Sequence, residues 1–118
     1  MRNEEIQRLE EELELIDWFF TQYPKEKRTK RFKGGLNKMK VLGIISHHPQ
    51  GITKEEISNY LPLKSLNNYL HKLRAEGLIK STYPYSPNTL YVCTQYGVET
   101  YKCLIEIAEQ ARRLWPFG

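Results

Sequence analysis

The sequence predicts a mainly helical α+β domain, built from five helices and one small β-hairpin. Three observations carry that expectation. Apolar residues recur at helical spacing in five separate segments. Proline, glycine and cap-type residues punctuate those segments at short intervals. Two short runs rich in Ile, Tyr, Thr and Val flank a turn-rich tip, Pro84-Tyr85-Ser86-Pro87-Asn88. The 118 residues suffice for one hydrophobic core and not for two domains.

The first segment, residues 1–23, reads as an amphipathic helix. Ile6, Leu9, Leu13, Ile16, Phe20 and Tyr23 follow heptad spacing, so they share one face. Leu15, Trp18 and Phe19 widen that face toward its end. The seam is too short for an independent coiled coil, which predicts a docking helix, either on its own domain or on a second copy. Glu4, Glu5, Glu11, Glu12 and Glu14 lie mostly off the seam and read as a solvated face. Pro24 ends the helix.

Residues 24–35 form a basic linker that ends in Gly34-Gly35. A second helix is expected from Leu36 to His48, burying Leu36, Met39, Val41, Leu42 and Ile45 along one side, with Ile44 close by. Pro49-Gln50-Gly51 breaks it, and Ile52 reads as an extended residue entering the core. Thr53 and Glu56 have capping-box spacing, which starts a third helix over about Lys54–Tyr60 with Ile57, Tyr60 and Leu61 inward. After the turn at Pro62-Leu63-Lys64, Ser65 is expected to cap a fourth helix, about Leu66–Glu76. Its buried stripe is Leu66, Tyr69, Leu70 and Leu73. Gly77 stands where a left-handed residue closes a helix. Leu78–Tyr83 and Thr89–Thr94 are the hairpin strands. Thr94 then caps a last helix, about Gln95–Leu114. Its stripe is Val98, Tyr101, Ile105 and Ala108, with Leu104, Ile107 and Ala111 beside it.

Charge is unevenly laid out. The net charge is +4, yet residues 1–23 hold two basic and seven acidic groups, a net of −5. Residues 24–40 hold eight basic groups and one acidic, a net of +7. Lys25, Lys27, Arg28, Lys30, Arg31 and Lys33, with Lys38 and Lys40, make that cluster. It is the electrostatic footprint of a polyanion partner, or else a solvated linker. The fourth helix adds a second signal. Opposite its leucines stand Asn68, His71 and Ala75, flanked by Lys64, Ser65, Asn67 and Lys72, with no carboxylate before Glu76. A carboxylate there would repel phosphate.

Enzyme chemistry is not expected. His47 and His48 are adjacent, so on a helix their rings diverge, and His71 lies on another helix. No Cys or acidic group completes a metal-ligand spacing, so neither a metal nor another cofactor is predicted. Ser46 beside His47 is no nucleophile–base pair, and two glycines make no phosphate loop. Cys93 and Cys103 have no CxxC partner and read as free thiols. No apolar run approaches the ~20 residues of a membrane helix, and the acidic start lacks a signal peptide's regions. A cytoplasmic protein with no membrane partner is expected.

From Leu36 to Thr94 the chain resembles a winged helix-turn-helix domain. The stretch from Gly51 to Lys80, GITKEEISNYLPLKSLNNYLHKLRAEGLIK, carries the resemblance through its Thr-type cap, its turn, and a recognition helix running into Glu76-Gly77-Leu78-Ile79. Tyr91 to Gly97, YVCTQYG, resembles the strand end and helix start of MarR-type and PadR-type transcriptional regulators. The resemblance implies double-stranded DNA as partner, with helix 65–76 in the major groove and hairpin 78–94 as wing. It implies DNA contacts from Lys64, Ser65, Asn67, Asn68, His71 and Lys72, then from Lys80, Tyr85 and Asn88 on the wing. Lys27, Arg28, Lys30, Arg31 and Lys33 would lie along phosphates. In these families the terminal helices form a homodimer, which assigns Ile6, Leu9, Leu13, Ile16 and Phe20, with Tyr101, Leu104, Ile105 and Ala108 of segment 95–118, to the interface. A small-molecule effector has no residue signature here. Two alternatives stay open because fold does not settle function: a protein-interaction module of a transcription or replication assembly, and a non-specific architectural DNA-binding protein.

Overall fold

The computed structural model describes residues 2–23, 35–82 and 88–114. The element order is α1 (Arg2–Thr21), α2 (Leu36–Ser46), α3 (Lys54–Tyr60), α4 (Leu66–Ala75), β1 (Ile79–Thr82), β2 (Leu90–Cys93) and α5 (Gln95–Leu114). The mainly helical fold with one hairpin is thus as the sequence predicts, and so are most element boundaries.

Helix α2 is the hub. The sequence pattern predicts one buried side, yet Val41 to Ile45 are buried without a break. The reason is that α1, α3, α4, α5 and β2 all pack on α2, so no side of its central turns faces water. Leu9, Ile16 and Phe19 of α1 join Leu42, Ile44 and Ile45 in the core, together with Ile57, Leu73, Ile79 and Leu104.

The caps follow local chemistry. Thr53 accepts from the Glu56 amide, and the Glu56 side chain accepts from the Thr53 amide at 3.0 Å, a reciprocal capping box. These bonds hold the Glu56 carboxyl below its ordinary range. Helix α4 closes on Gly77 at φ +77. The Leu78 amide donates to the Leu73 carbonyl at 2.9 Å and the Gly77 amide to Arg74 at 3.0 Å, a Schellman closure. Ser65 departs from expectation. It sits at the α4 N-cap position, but its φ of −103 and ψ of 26 are not the extended pair that aims a hydroxyl at the helix amides, and it makes no cap bond.

The strands pair antiparallel from Ile79↔Cys93 to Thr82↔Leu90. Ile52 bridges Tyr91 by two backbone bonds, 3.1 and 2.9 Å, so the residue after the α2 turn forms a third strand position beside β2. Thr94 joins hairpin to helix. Its hydroxyl accepts from the Gly97 amide at 3.0 Å and donates to the Gly77 carbonyl at 2.7 Å.

On α5 the buried stripe is rotated from the predicted one. Gly97, Thr100, Tyr101, Leu104, Ala108 and Ala111 are buried, while Val98 and Ile105 are half-buried. Close approach at Gly97 sets this rotation, because a Cβ there would lie 1.9 Å from the Leu78 carbonyl oxygen. No helix among the described residues is long and apolar enough to cross a membrane.

Candidate nucleic-acid interface

The predicted residues around α4 come together on one exposed surface. Leu66, Leu70 and Leu73 anchor the helix, which leaves Asn67, Asn68, His71 and Lys72 exposed, with Lys64 and Ser65 exposed in the turn before them. Lys80 is exposed at the second position of β1, and Asn88 is exposed ahead of β2. Tyr85 lies outside the described residues, as do Lys27, Arg28, Lys30, Arg31 and Lys33 of the basic linker.

Polar ties fix α4 to its neighbours at three points. Near its start, the Lys54 ammonium on α3 donates to the Asn67 carbonyl oxygen at 2.8 Å. Near its end, the Arg74 guanidinium donates to the Ser81 hydroxyl of β1 at 3.0 Å. At its cap, Lys38 of α2 holds both Glu76 carboxylate oxygens at 2.9 and 3.0 Å. Glu76, the acid that ends this face, is therefore neutralised from within the chain. Lys54 and Arg74 were absent from the sequence assignment. Nothing in the linear spacing marks them, since each is exposed and each partner belongs to another element.

Two cations counted in the basic cluster change role. Lys38 is paired with Glu76, and Lys40 is paired with Asp17 at 2.6 Å and is largely buried. They tie α2 to α4 and to α1, so they do not belong to a free basic patch.

The assigned dimer residues divide in the same way. Leu9, Ile16, Tyr101, Leu104 and Ala108 are buried inside this single chain, because α1 packs directly on α2 and α5. Their side chains are thus covered within the chain itself. Ile6 remains exposed, and Leu13, Phe20 and Ile105 are half-buried.

One polar cluster went unrecognised. Glu12, read as part of a solvated face, points inward. Its carboxylate accepts from the Tyr101 hydroxyl at 2.6 Å and pairs with His47 Nε2 at 2.8 Å, while Arg8 stands 3.4 Å from its other oxygen. Burial alone would raise the Glu12 carboxyl, but the His47 and Tyr101 hydrogen bonds and the electrostatic attraction of His47 and Arg8 outweigh it and hold the group below its ordinary range. Burial, and then the bond to Glu12, push the Tyr101 phenol far up. The cluster joins α1, α2 and α5. His48 faces elsewhere, with Nδ1 2.7 Å from the Ile44 carbonyl and Nε2 3.3 Å from the Tyr60 hydroxyl. The adjacent histidines thus serve separate structural bonds, one at His47 and two at His48. Cys93 is largely buried, which pushes its thiol up to about 12 and makes it a poor nucleophile.

Between α1 and α5 lies an open cleft of about 920 Å³. Leu15 and Ile105 line it together with Arg8, Lys102, Glu106 and Arg112.

No protein-family model matches the chain, and no curated protein matches it by sequence. Its fold is shared with a solved structure, that of MepR, a transcription regulator of the Staphylococcus aureus multidrug efflux pump MepA. The two are 20% identical, the match covers 82% of this chain and 72% of that one, and the TM-score is 0.55. The architecture is accordingly a winged helix, with the fold of MepR, as the sequence resemblance implies.

Proposed function

We propose that this chain is a sequence-specific double-stranded DNA-binding protein that regulates transcription, with α4 entering the major groove and the β1–β2 hairpin acting as wing. The observation that carries the reading is the exposed face of α4, where Asn67, Asn68, His71 and Lys72 follow Lys64 and Ser65 and no free carboxylate stands among them. The major groove admits an α-helix, and helix-turn-helix proteins read bases with the first turns of that helix. Asn68 makes no side-chain bond to another described residue, so both ends of its amide are open to adenine, whose edge offers one donor and one acceptor. Lys64, Ser65, Lys72 and Lys80 serve the phosphates. The likeness to a transcription regulator supports the same reading.

The linker cations Lys27, Arg28, Lys30, Arg31 and Lys33 extend the contact along the backbone, each phosphate neutralised adding roughly 0.9 to the salt slope. Two copies pair through what α1 and α5 leave exposed, Ile6 and Leu114 among them, with half-sites about one DNA turn apart.

The test is selection from a random duplex pool, followed by a salt titration on the selected site. A palindromic site preferred at least about a thousandfold over random DNA meets the proposal. A steep salt slope with no enriched sequence replaces it with architectural binding. The cleft between α1 and α5 favours a second reading, a protein-interaction module. Absence of duplex binding even at low salt leaves that reading in its place.

A further inference from the structure

Helix α5 carries two stripes at heptad spacing. Gly97, Tyr101, Leu104, Ala108 and Ala111 form one, and all five are buried inside the chain. Val98, Lys102, Ile105, Glu109 and Arg112 form the other. Its two apolar members are half-buried and its three charged members are exposed. This second stripe borders the cleft between α1 and α5, where Ile105 stands across from Leu15 of α1. Past Lys102 the cleft continues into a hollow of about 330 Å³ that Val98 lines. Lys102 and Glu109 make no hydrogen bond or ion pair with any described residue.

We infer that this cleft seats the α5 of a second copy, docked antiparallel about a two-fold axis that passes between Ile105 and Glu106. The inference rests on the pairing of two copies proposed above and gives it a surface, a direction and a register. The charge pattern carries it. Lys102 and Glu109 lie equally far on either side of that axis, and so do Glu99 and Arg112. An antiparallel second α5 therefore sets Lys102 against the partner's Glu109 and Glu99 against the partner's Arg112, each pair occurring twice by symmetry. A parallel α5 would set Lys102 against Lys102 and Glu109 against Glu109, which repels. Glu106 stands beside the axis, with Lys102 one turn before it on the same helix to offset its charge.

The two kinds of residue do different work. Ile105, Val98 and Leu15 supply the apolar surface that docking removes from water. The charges lie at the rim, where they choose direction and register more than strength. Leu9, Ile16, Leu104 and Ala108 take no part, since they are already covered within the chain. The axis also relates the two reading heads. Thr94 caps α5 at Gly97 and bonds Gly77 at the end of α4, so each α4 is tied to the start of its own α5. A two-fold pair of reading helices is what a palindromic site requires.

Sedimentation equilibrium is run on the full chain as wild type, Lys102→Glu, Glu109→Lys, and an equal mixture of the two variants. The wild type is expected to self-associate. Each variant alone turns two attractive pairs into repulsive ones and should weaken association about tenfold to a hundredfold, less as salt rises. The mixture should associate again, because Glu at 102 then meets Lys at 109 across the axis in both directions. Circular dichroism checks that the variants fold, as expected for substitutions at exposed positions. Independently of any variant, a zero-length carbodiimide cross-link is expected between Lys102 of one copy and Glu109 of the other, identified by mass spectrometry on mixed light and isotope-labelled wild-type chains. A monomeric wild type overturns the inference and leaves the cleft to another occupant. Variants that associate as the wild type does, a mixture no tighter than its components, or cross-links that join only residues of one copy overturn it as well. Duplex selection with the wild type separates this outcome from that of the reading it rests on. An enriched site with association unaltered in the variants sinks this docking alone, whereas the charge-swap pattern with no enriched duplex removes the DNA reading and leaves the docking in place.

Discussion

Replacing Gly97 by alanine adds one methyl group in the first turn of α5. An ideal Cβ at that position lies 1.9 Å from the Leu78 carbonyl oxygen and 2.9 Å from its carbon, where Cβ contacts are not found below 3.0 Å. The obstructing atoms are backbone, so no rotamer change relieves the clash. The helix start must move back by about 1 Å, the shortfall between those distances. That oxygen also accepts from the Thr94 amide at 3.0 Å, and the Thr94 hydroxyl bonds Gly97 and Gly77 at 3.0 and 2.7 Å. A shift of this size breaks or stretches all three.

Overpacking of this kind costs about 1–3 kcal/mol, and each weakened hydrogen bond adds about 1 kcal/mol. Alanine returns about 1 kcal/mol through its higher helix propensity. The clash wins, and with three bonds weakened the net loss is about 3–5 kcal/mol. For a domain of this size that lowers the Tm by roughly 15 °C. Urea unfolding followed by circular dichroism measures it, with Cm falling at constant m. If Gly97→Ala is as stable as the wild type, or more so, propensity has won, and the hairpin does not approach α5 as described.

Gly77→Ala makes the same chemical change with a different cause. Its φ is +77 but nothing lies within 4 Å of the added Cβ, so only left-handed backbone strain of about 1–2 kcal/mol is expected; a loss equal to that at Gly97 would refute the distinction. Glu12→Gln should destabilise by about 2 kcal/mol at pH 7, since it removes a charged acceptor from two hydrogen bonds. The folded-state carboxyl is depressed, so its stabilisation is full above the ordinary carboxylate value and fades as pH falls through the folded one. The gap between the two proteins must narrow on acidification, and one that stays constant from pH 7 to 3 contradicts the assignment. Asn68→Ala should cost about 1–3 kcal/mol on a selected site and little on random DNA, as judged by competition binding; equal losses on both would take Asn68 out of base reading.

What was legible in the sequence were features that a few neighbouring residues determine. The Thr53–Glu56 box, the Gly77 closure and the cap at Thr94 each need only a segment of four to six residues, and all three are as read. The leucines of α4 followed because that helix buries one face only. The pattern reading weakened where several elements converge. Helix α2 has no polar side to fix its orientation, and the α5 stripe turns on a glycine whose value lies in the atom it leaves out. Glu12 looked like its exposed neighbours, since its partners His47 and Tyr101 are 35 and 89 residues away in the chain. Lys54 was missed for the same reason, its partner being on another helix.

These long-range pairs also explain how a chain of modest net charge can present an acid-free surface. Helix α1 packs on α2 and α5, while α4 packs on α2 and β1, so the hub helix stands between the acid-rich segment and the candidate reading face. The ties themselves dispose of charge. Glu12 turns inward to His47 and Tyr101, Asp17 is taken by Lys40, and Glu76 is taken by Lys38. Three carboxylates are thereby removed from the field that a polyanion would meet, at the cost of two lysines that linear counting assigns to the basic cluster. The electrostatics of α4 are thus a property of the fold. A variant that frees Glu76, such as Lys38→Met, places an unpaired carboxylate at the end of the reading face. It should weaken binding of any duplex, with the loss shrinking as salt rises, because like-charge repulsion over this distance is screened within about 10 Å at 0.1 M salt. A loss confined to one selected sequence would instead mean that Lys38 and Glu76 position α4 and do not shield it.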